Sequence, residues 1–124
     1  MKCIHVSAGE GRFCVSSTAV PCGDDWAVTV CGGEQAHVGA VSVGQYEPQR
    51  DSATVSTITL FSHRDDRIAA RFAKAIASAE KCNVTVTAGI HVDNAGEAEI
   101  AELTAICENC LQKLLMCMEE KTCD

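Results

Sequence analysis

The order in which strand-like alternation and helical spacing of apolar residues occur along the chain constrains its fold more than any other feature of the sequence. Four β-prone segments, separated by residues typical of turns and loops, precede the first segment with helical spacing. These four segments span residues 12–20, 26–31, 38–43 and 53–61. A doubly wound parallel sheet alternates strands with helices, so four consecutive strands exclude that fold.

The hydrophobic period changes after residue 61. Apolar residues recur at helical spacing over residues 65–80, which predicts a first helix there. The segment 83–90 alternates in the manner of a strand, and an apolar stripe predicts a second helix from residue 97 to about 119. The polar, proline-containing segment 45–52 is expected to form a loop between the third and fourth strands.

The resulting order, β-β-β-β-α-β-α, predicts an α+β fold. Its most economical form is an antiparallel or mixed five-stranded sheet with two helices packed on one face. The opposite face then needs polar cover or a partner, so we expect a homo-oligomer. The length of 124 residues fits a single domain that spans residues 1–124.

Composition excludes several classes of protein. The net charge of −7 disfavours a nucleic-acid binder, because neutralising phosphates requires clustered Lys and Arg. No apolar run approaches the roughly 20 residues of a membrane-spanning helix, so we expect no membrane interaction. The first residues contain no apolar segment typical of a signal peptide, and the expected location is therefore cytoplasmic.

The nine cysteines are interpreted mainly as reduced, small hydrophobic residues. Most of them occupy positions where Val or Ala would serve equally well. Cys107 and Cys110 form a C-x-x-C pair inside the second predicted helix, with no second pair of this kind elsewhere in the chain. A soft-metal or redox role for this pair remains a weaker alternative.

Three histidines lie next to the ends of predicted strands. His37 precedes the third strand, His63 follows the fourth and His91 follows the fifth, so the fold could gather them at one rim of the sheet. Glycines that permit close approach of the backbone flank them, and arginines near the start of the first helix could bind an anion. These flanking residues are Gly32, Gly33, Gly39, Gly89, Arg64 and Arg67.

Two other interpretations of the histidines stay open from the residues alone. Each could simply be a solvated or hydrogen-bonded loop residue. Alternatively, all three could bind zinc and leave a fourth position for water, as in a small hydrolase or lyase. Neither the P-loop nor the Rossmann fingerprint occurs in the sequence.

Three segments resemble a known family when they are taken together and in this order. They are CGGEQAHVGAVSVG at 31–44, TITLFSHRDDRIAARFAKAIA at 57–77 and VTVTAGIHVDNAGEAEI at 84–100. They resemble the small D subunits of gallate decarboxylase operons and their stand-alone relatives, the LpdD-like prenylated-flavin chaperones. The family often has a proline before the first histidine, where this chain has Ala36.

The resemblance implies a non-enzymatic chaperone that holds prenylated FMN, or FMN, and delivers it to a UbiD-type decarboxylase. A purely structural accessory subunit of such a decarboxylase is the alternative within the same family. We expect no catalytic residue and no metal. The expected cofactor-binding residues are Gly32, Gly33, His37, Gly39, His63, Arg64, Arg67, Gly89, His91, Asp93 and Asn94.

Overall fold

A computed structural model describes residues 2–60 and 65–120 of the chain. Its elements are six strands, two helices and one short 3₁₀ turn at Gly11–Phe13. The strands are β1 (Ile4–Ala8), β2 (Val15–Cys22), β3 (Asp25–Gly33), β4 (Ala40–Glu47), β5 (Ser52–Thr59) and β6 (Asn83–His91). The helices are α1 (Asp65–Glu80) and α2 (Glu97–Glu119).

The six strands form one mixed sheet in the order β1-β2-β3-β6-β4-β5. β3 and β6 run parallel, and all other neighbouring strands run antiparallel. The α+β class and the mixed sheet with two helices are confirmed, but the predicted count of five strands is wrong. The missed strand is β1, in which Ile4, Val6 and Ala8 turn towards the core and alternate with polar His5 and Ser7.

Strand ends were harder to predict than helices. Both helices have the predicted bounds, because long apolar stripes define them clearly. The predicted loop at 45–52 is wrong at both ends: β4 continues to Glu47 and β5 begins at Ser52, which leaves a tight turn between them. Asp51 has a φ of 49° in this turn, a left-handed conformation that aspartate tolerates better than most residues.

Both helices cover the same face of the sheet and share one hydrophobic core. α1 packs on β4, β5 and β6, whereas α2 packs on β1 and β2 and also contacts α1. Small residues let α1 lie close to the sheet: a Cβ at Gly44 in β4 would meet the carbonyl oxygen of Ala73 at 2.5 Å. No described helix is long and apolar enough to cross a membrane.

The opposite face of the sheet, called the outer face here, is covered by neither helix. Its side chains alternate with the buried ones along each strand, as expected for a sheet with one solvated face. It includes three well-exposed apolar residues, Val20, Val43 and Ile58. The outer face therefore combines solvent exposure with apolar and β-branched side chains.

The segment after β3 crosses the C-terminal end of β6 and brings the chain to β4. The Gly39 amide donates to the Ala88 carbonyl over 2.9 Å, and the His37 amide lies 3.5 Å from the Gly89 carbonyl. A Cβ at Gly89 would overlap the carbonyl oxygen of His37. Only a glycine at position 89 allows this crossing, which fixes the loop on β6.

We expect Gly89→Ala to destabilise the fold by about 1–3 kcal/mol, because the loop over β6 must move to admit the methyl group. Urea unfolding followed by circular dichroism measures the change in the free energy of unfolding. Gly96→Ala is the matched control: φ is −85° there, and the new Cβ would meet only the flexible carboxylate of Glu99. A Gly89→Ala protein as stable as the wild-type protein would contradict the crossing.

Candidate functional site

A buried carboxylate links three segments at the C-terminal end of β6. Asp65 is the first residue of α1, and its side chain is 2% exposed. One oxygen accepts the Ile90 amide over 3.0 Å, and the other lies 2.9 Å from His37 Nε2. Asp65 therefore connects the start of α1 to β6 and to the loop that carries His37.

The His37 ring lies between two acceptors. Its Nε2 faces the Asp65 carboxylate, and its Nδ1 is 3.1 Å from the Gln35 carbonyl oxygen. A neutral imidazole can donate to only one of them, whereas a protonated ring can donate to both. About a third of the side chain is exposed, so a ligand can reach the imidazole without unfolding the loop.

His91 lies at the same end of β6. Its Nε2 is 2.7 Å from an Asp93 carboxylate oxygen, and its carbonyl accepts the Glu34 amide over 2.7 Å. The Glu34 side chain in turn accepts the Asp93 amide over 2.8 Å. Asn94 follows with a φ of 55°, in the turn that leads to α2. His37 and His91 are thus held by one network around the end of β6.

The candidate glycines allow close contacts within the chain itself. A Cβ at Gly33 would overlap the His91 carbonyl, one at Gly39 would overlap the Asp65 carboxylate, and one at Gly32 would overlap the Cys14 carbonyl. The space that the sequence assigned to a ligand is therefore occupied by the chain at these positions. The assignment of Gly32, Gly33, Gly39 and Gly89 to cofactor binding stays a prediction.

Two of the candidate residues, His63 and Arg64, lie outside the described residues. They immediately precede Asp65 in the sequence. The predicted convergence of three histidines is therefore supported for His37 and His91 alone. The third, His63, remains a prediction.

A cavity of 340 Å³ lies between α1 and α2, next to the end of β6. Its apolar lining comes from both helices and from β6, and its polar lining includes Asp65 and two arginines of α1. The lining residues are Asp65, Arg67, Ile68, Arg71, Phe72, Ile90, Ile100, Leu103, Thr104, Cys107 and Glu108. Asp65 therefore belongs both to this lining and to the histidine network.

The two arginines of the cavity differ in their partners. Arg71 donates to Glu108 through Nη2 over 2.6 Å and through Nε over 3.1 Å, which joins α1 to α2. These hydrogen bonds raise the pKa of Arg71 and lower the pKa of Glu108. The exposed side chain of Arg67 has no acidic partner among the residues that the structure describes. Arg67 is therefore the arginine of the cavity that can pair with an anionic ligand.

The C-x-x-C pair has the properties of buried structural thiols. Burial raises the pKa of Cys107 to about 12 and that of Cys110 to about 11, so both are protonated at neutral pH. A protonated thiol is a poor nucleophile and a poor metal ligand. Within residues 2–60 and 65–120, no group of three or more His, Cys, Asp or Glu side chains is arranged to hold a metal ion.

Reasoning from the sequence missed most of the cavity. Arg71 follows Arg67 by one helical turn, and this spacing was the available signal for a shared surface. Ile100, Leu103 and Cys107 belong to the apolar stripe that predicted the second helix. An apolar stripe has the same sequence pattern whether it packs against another element or lines a cavity, so the sequence could not reveal the cavity.

Comparison with solved structures shows that the fold occurs in a chain of a proteasome-assembly chaperone complex. A chain from the "Crystal Structure of a Novel Chaperone Complex for Yeast 20S Proteasome Assembly" superposes with a TM-score of 0.59. The alignment covers 92% of this chain and 96% of that chain, at 17% sequence identity. Identity this low establishes a shared fold alone. No curated protein matches the sequence significantly.

Comparison with family models gives a match over nearly the whole chain. The model described as "Prenylated flavin chaperone LpdD-like domain" matches residues 9–119. This range includes every residue of the histidine network and of the cavity. It also extends well beyond the three segments that carried the resemblance. The chain therefore belongs to the LpdD-like family of prenylated flavin chaperone domains.

Proposed function

We propose that this protein is a non-enzymatic carrier that holds prenylated FMN, or FMN, and delivers it to a UbiD-type decarboxylase. Family membership supports the chaperone role and names the flavin. The structural observation that carries the proposal is the 340 Å³ cavity that opens beside the histidine network. Its volume lies at the lower end of the roughly 300–1,000 Å³ typical of small-molecule sites.

The phosphate of the flavin has a suitable binding surface at the start of α1. The Arg67 guanidinium is exposed and lacks an acidic partner within the described part of the chain. Arg64 precedes the helix by one residue and completes the proposed phosphate site. An arginine can donate two parallel hydrogen bonds to a phosphate, which gives orientation as well as affinity.

The polar edge of the flavin ring is proposed to bind at the end of β6. The imidazoles of His37 and His91 are partly exposed there. His91 can donate to a ring carbonyl oxygen through Nδ1, since only its Nε2 faces Asp93, whereas His37 can do so only if the ligand oxygen replaces the Gln35 carbonyl at its Nδ1. Asp93 orients His91, and Asn94 lies in the adjoining turn. His63 is proposed as the third imidazole of the site. The neighbouring glycines fix the backbone on which these groups stand.

A carrier must release its cargo, and the proposed site suits reversible binding. Its polar contacts come from exposed side chains, and the described cysteines near it are protonated. Neither feature provides a covalent attachment. The holoprotein would therefore exchange its flavin with an apo-decarboxylase that binds the same cofactor more tightly.

The outer face is proposed to form a homodimer. Apart from the first and last residue of each strand, none of the described strand residues on the outer face is Asp, Glu, Lys or Arg. The chain as a whole has a net charge of −7. Six strands about 4.8 Å apart make a face roughly 25 Å wide. That width is on the scale of a standard interface, which buries about 800 Å² per partner. Depletion of charge is typical of the centre of such an interface.

We expect the purified protein to quench the fluorescence of added FMN or prenylated FMN at micromolar concentrations. His37→Ala, His63→Ala and His91→Ala should each weaken binding about 2- to 10-fold, the value of one hydrogen bond. Arg67→Ala should weaken it about 10- to 100-fold, because the lost bond is to a charged group. Circular dichroism checks that each variant is folded.

Four results would contradict this prediction in different ways. Absence of binding at tens of micromolar would exclude the carrier. Histidine variants that unfold would show that the imidazoles are structural. Stoichiometric zinc that is lost in the His37→Ala variant would instead favour the metal-binding hydrolase or lyase. Tight copurification with a decarboxylase, without any affinity for flavin, would favour an accessory subunit.

We expect the wild-type protein to sediment as a dimer and Val43→Asp to sediment as a monomer with an unchanged circular dichroism spectrum. Val43 lies on the outer face and is 45% exposed, so the charge disrupts an interface without entering the core. Met116→Asp is the control, since Met116 is an exposed apolar residue of α2. A monomeric wild-type protein at tens of micromolar would contradict the proposed interface.

A further inference from the structure

We infer that the cavity between α1 and α2 binds the apolar, prenyl-derived part of the cofactor and makes the carrier select prenylated FMN over plain FMN. This inference rests on the proposed function and adds the chemical basis of its selectivity. The proposed function alone treats the two flavins as alternatives. The cavity distinguishes them because a prenyl unit adds apolar carbon and no charge.

The composition of the cavity wall supports an apolar occupant. Ile68 and Phe72 project from α1, Ile100 and Leu103 from α2, and Ile90 from β6. Four of these five side chains are only partly buried, although they lie between two packed helices. Apolar side chains that border a hollow gain stability when apolar groups fill it. The hollow therefore favours a hydrocarbon group over water.

The size of the cavity supports a partial occupant. Its 340 Å³ lies near the minimum for a small-molecule site, and a complete flavin nucleotide would have to extend beyond it. The polar parts of the nucleotide then remain outside, within reach of the exposed Arg67. A prenyl unit with the adjoining edge of the ring is the part that suits the interior.

The distribution of charge orients the ligand. Arg71 is neutralised by Glu108, whereas Arg67 has no acidic partner within residues 2–60 and 65–120. Both arginines contribute to the cavity, but only Arg67 offers an uncompensated positive charge. A ligand with an apolar body and an anionic group would therefore place its carbon between the helices and its phosphate at Arg67. Prenylated FMN has both features.

The test compares the affinities for two flavins in three proteins. Leu103→Trp fills the cavity from α2, and Met116→Trp is the matched control on the same helix, because Met116 is 62% exposed and does not line the cavity. Dissociation constants for FMN and for prenylated FMN are measured by fluorescence titration. The ratio of the two constants is the quantity of interest.

We expect the wild-type protein to bind prenylated FMN at least about tenfold more tightly than FMN, since even one methylene in an apolar pocket can contribute that factor. Leu103→Trp should reduce the ratio to about one, because filling the cavity removes the prenyl contact and so weakens the binding of prenylated FMN more than that of FMN. Met116→Trp should keep the wild-type ratio. Thr104→Phe serves if Leu103→Trp does not fold, because Thr104 is an exposed residue of the cavity rim.

The possible failures are distinguishable. If the wild-type protein binds neither flavin, both the carrier function and this inference are wrong. If it binds both flavins equally, or if Leu103→Trp and Thr104→Phe leave the ratio unchanged, the carrier stands and the prenyl pocket is wrong. If Leu103→Trp weakens both flavins by the same factor, the cavity contributes to binding without providing selectivity, and the inference is again wrong.

Discussion

The buried carboxylate of Asp65 is the interaction on which the architecture of the site depends. It accepts the Ile90 amide and lies beside the His37 imidazole, so it joins α1, β6 and the loop between β3 and β4. A buried carboxylate is costly unless such partners satisfy it. The glycine at position 39 leaves room for it, since a Cβ there would overlap the carboxylate. The position of the histidine network therefore depends on the packing of α1.

The same carboxylate borders the cavity between the helices, which places polar and apolar surfaces side by side. The exposed imidazoles of His37 and His91 lie on one side, and half-buried aliphatic side chains lie on the other. The Arg71–Glu108 ion pair joins the two helices at the cavity. Because this pair is exposed, it contributes modestly to stability.

Much of the architecture followed from the sequence because the helices carry long apolar stripes and the strands precede them in one block. β1 escaped detection because five residues with two polar positions give a weak signal. Neighbouring strand ends suggested that the histidines lie at one rim of the sheet, and the structure places His37 and His91 around the C-terminal end of β6. The glycines were harder to interpret, because their closest neighbours, such as the His37 carbonyl at Gly89, come from distant parts of the chain. The volume of the cavity depends on the distance between α1 and α2, and the hydrophobic pattern of the sequence gives no information about that distance.

The most direct test of a flavin site at the junction of the histidine network and the cavity is a map of backbone amide NMR shifts during titration with FMN. We expect the largest changes in residues 34–39, 65–72, 89–94 and 100–108, and small changes at the centre of the outer face. Changes concentrated on the outer face, or none at saturating FMN, would contradict it.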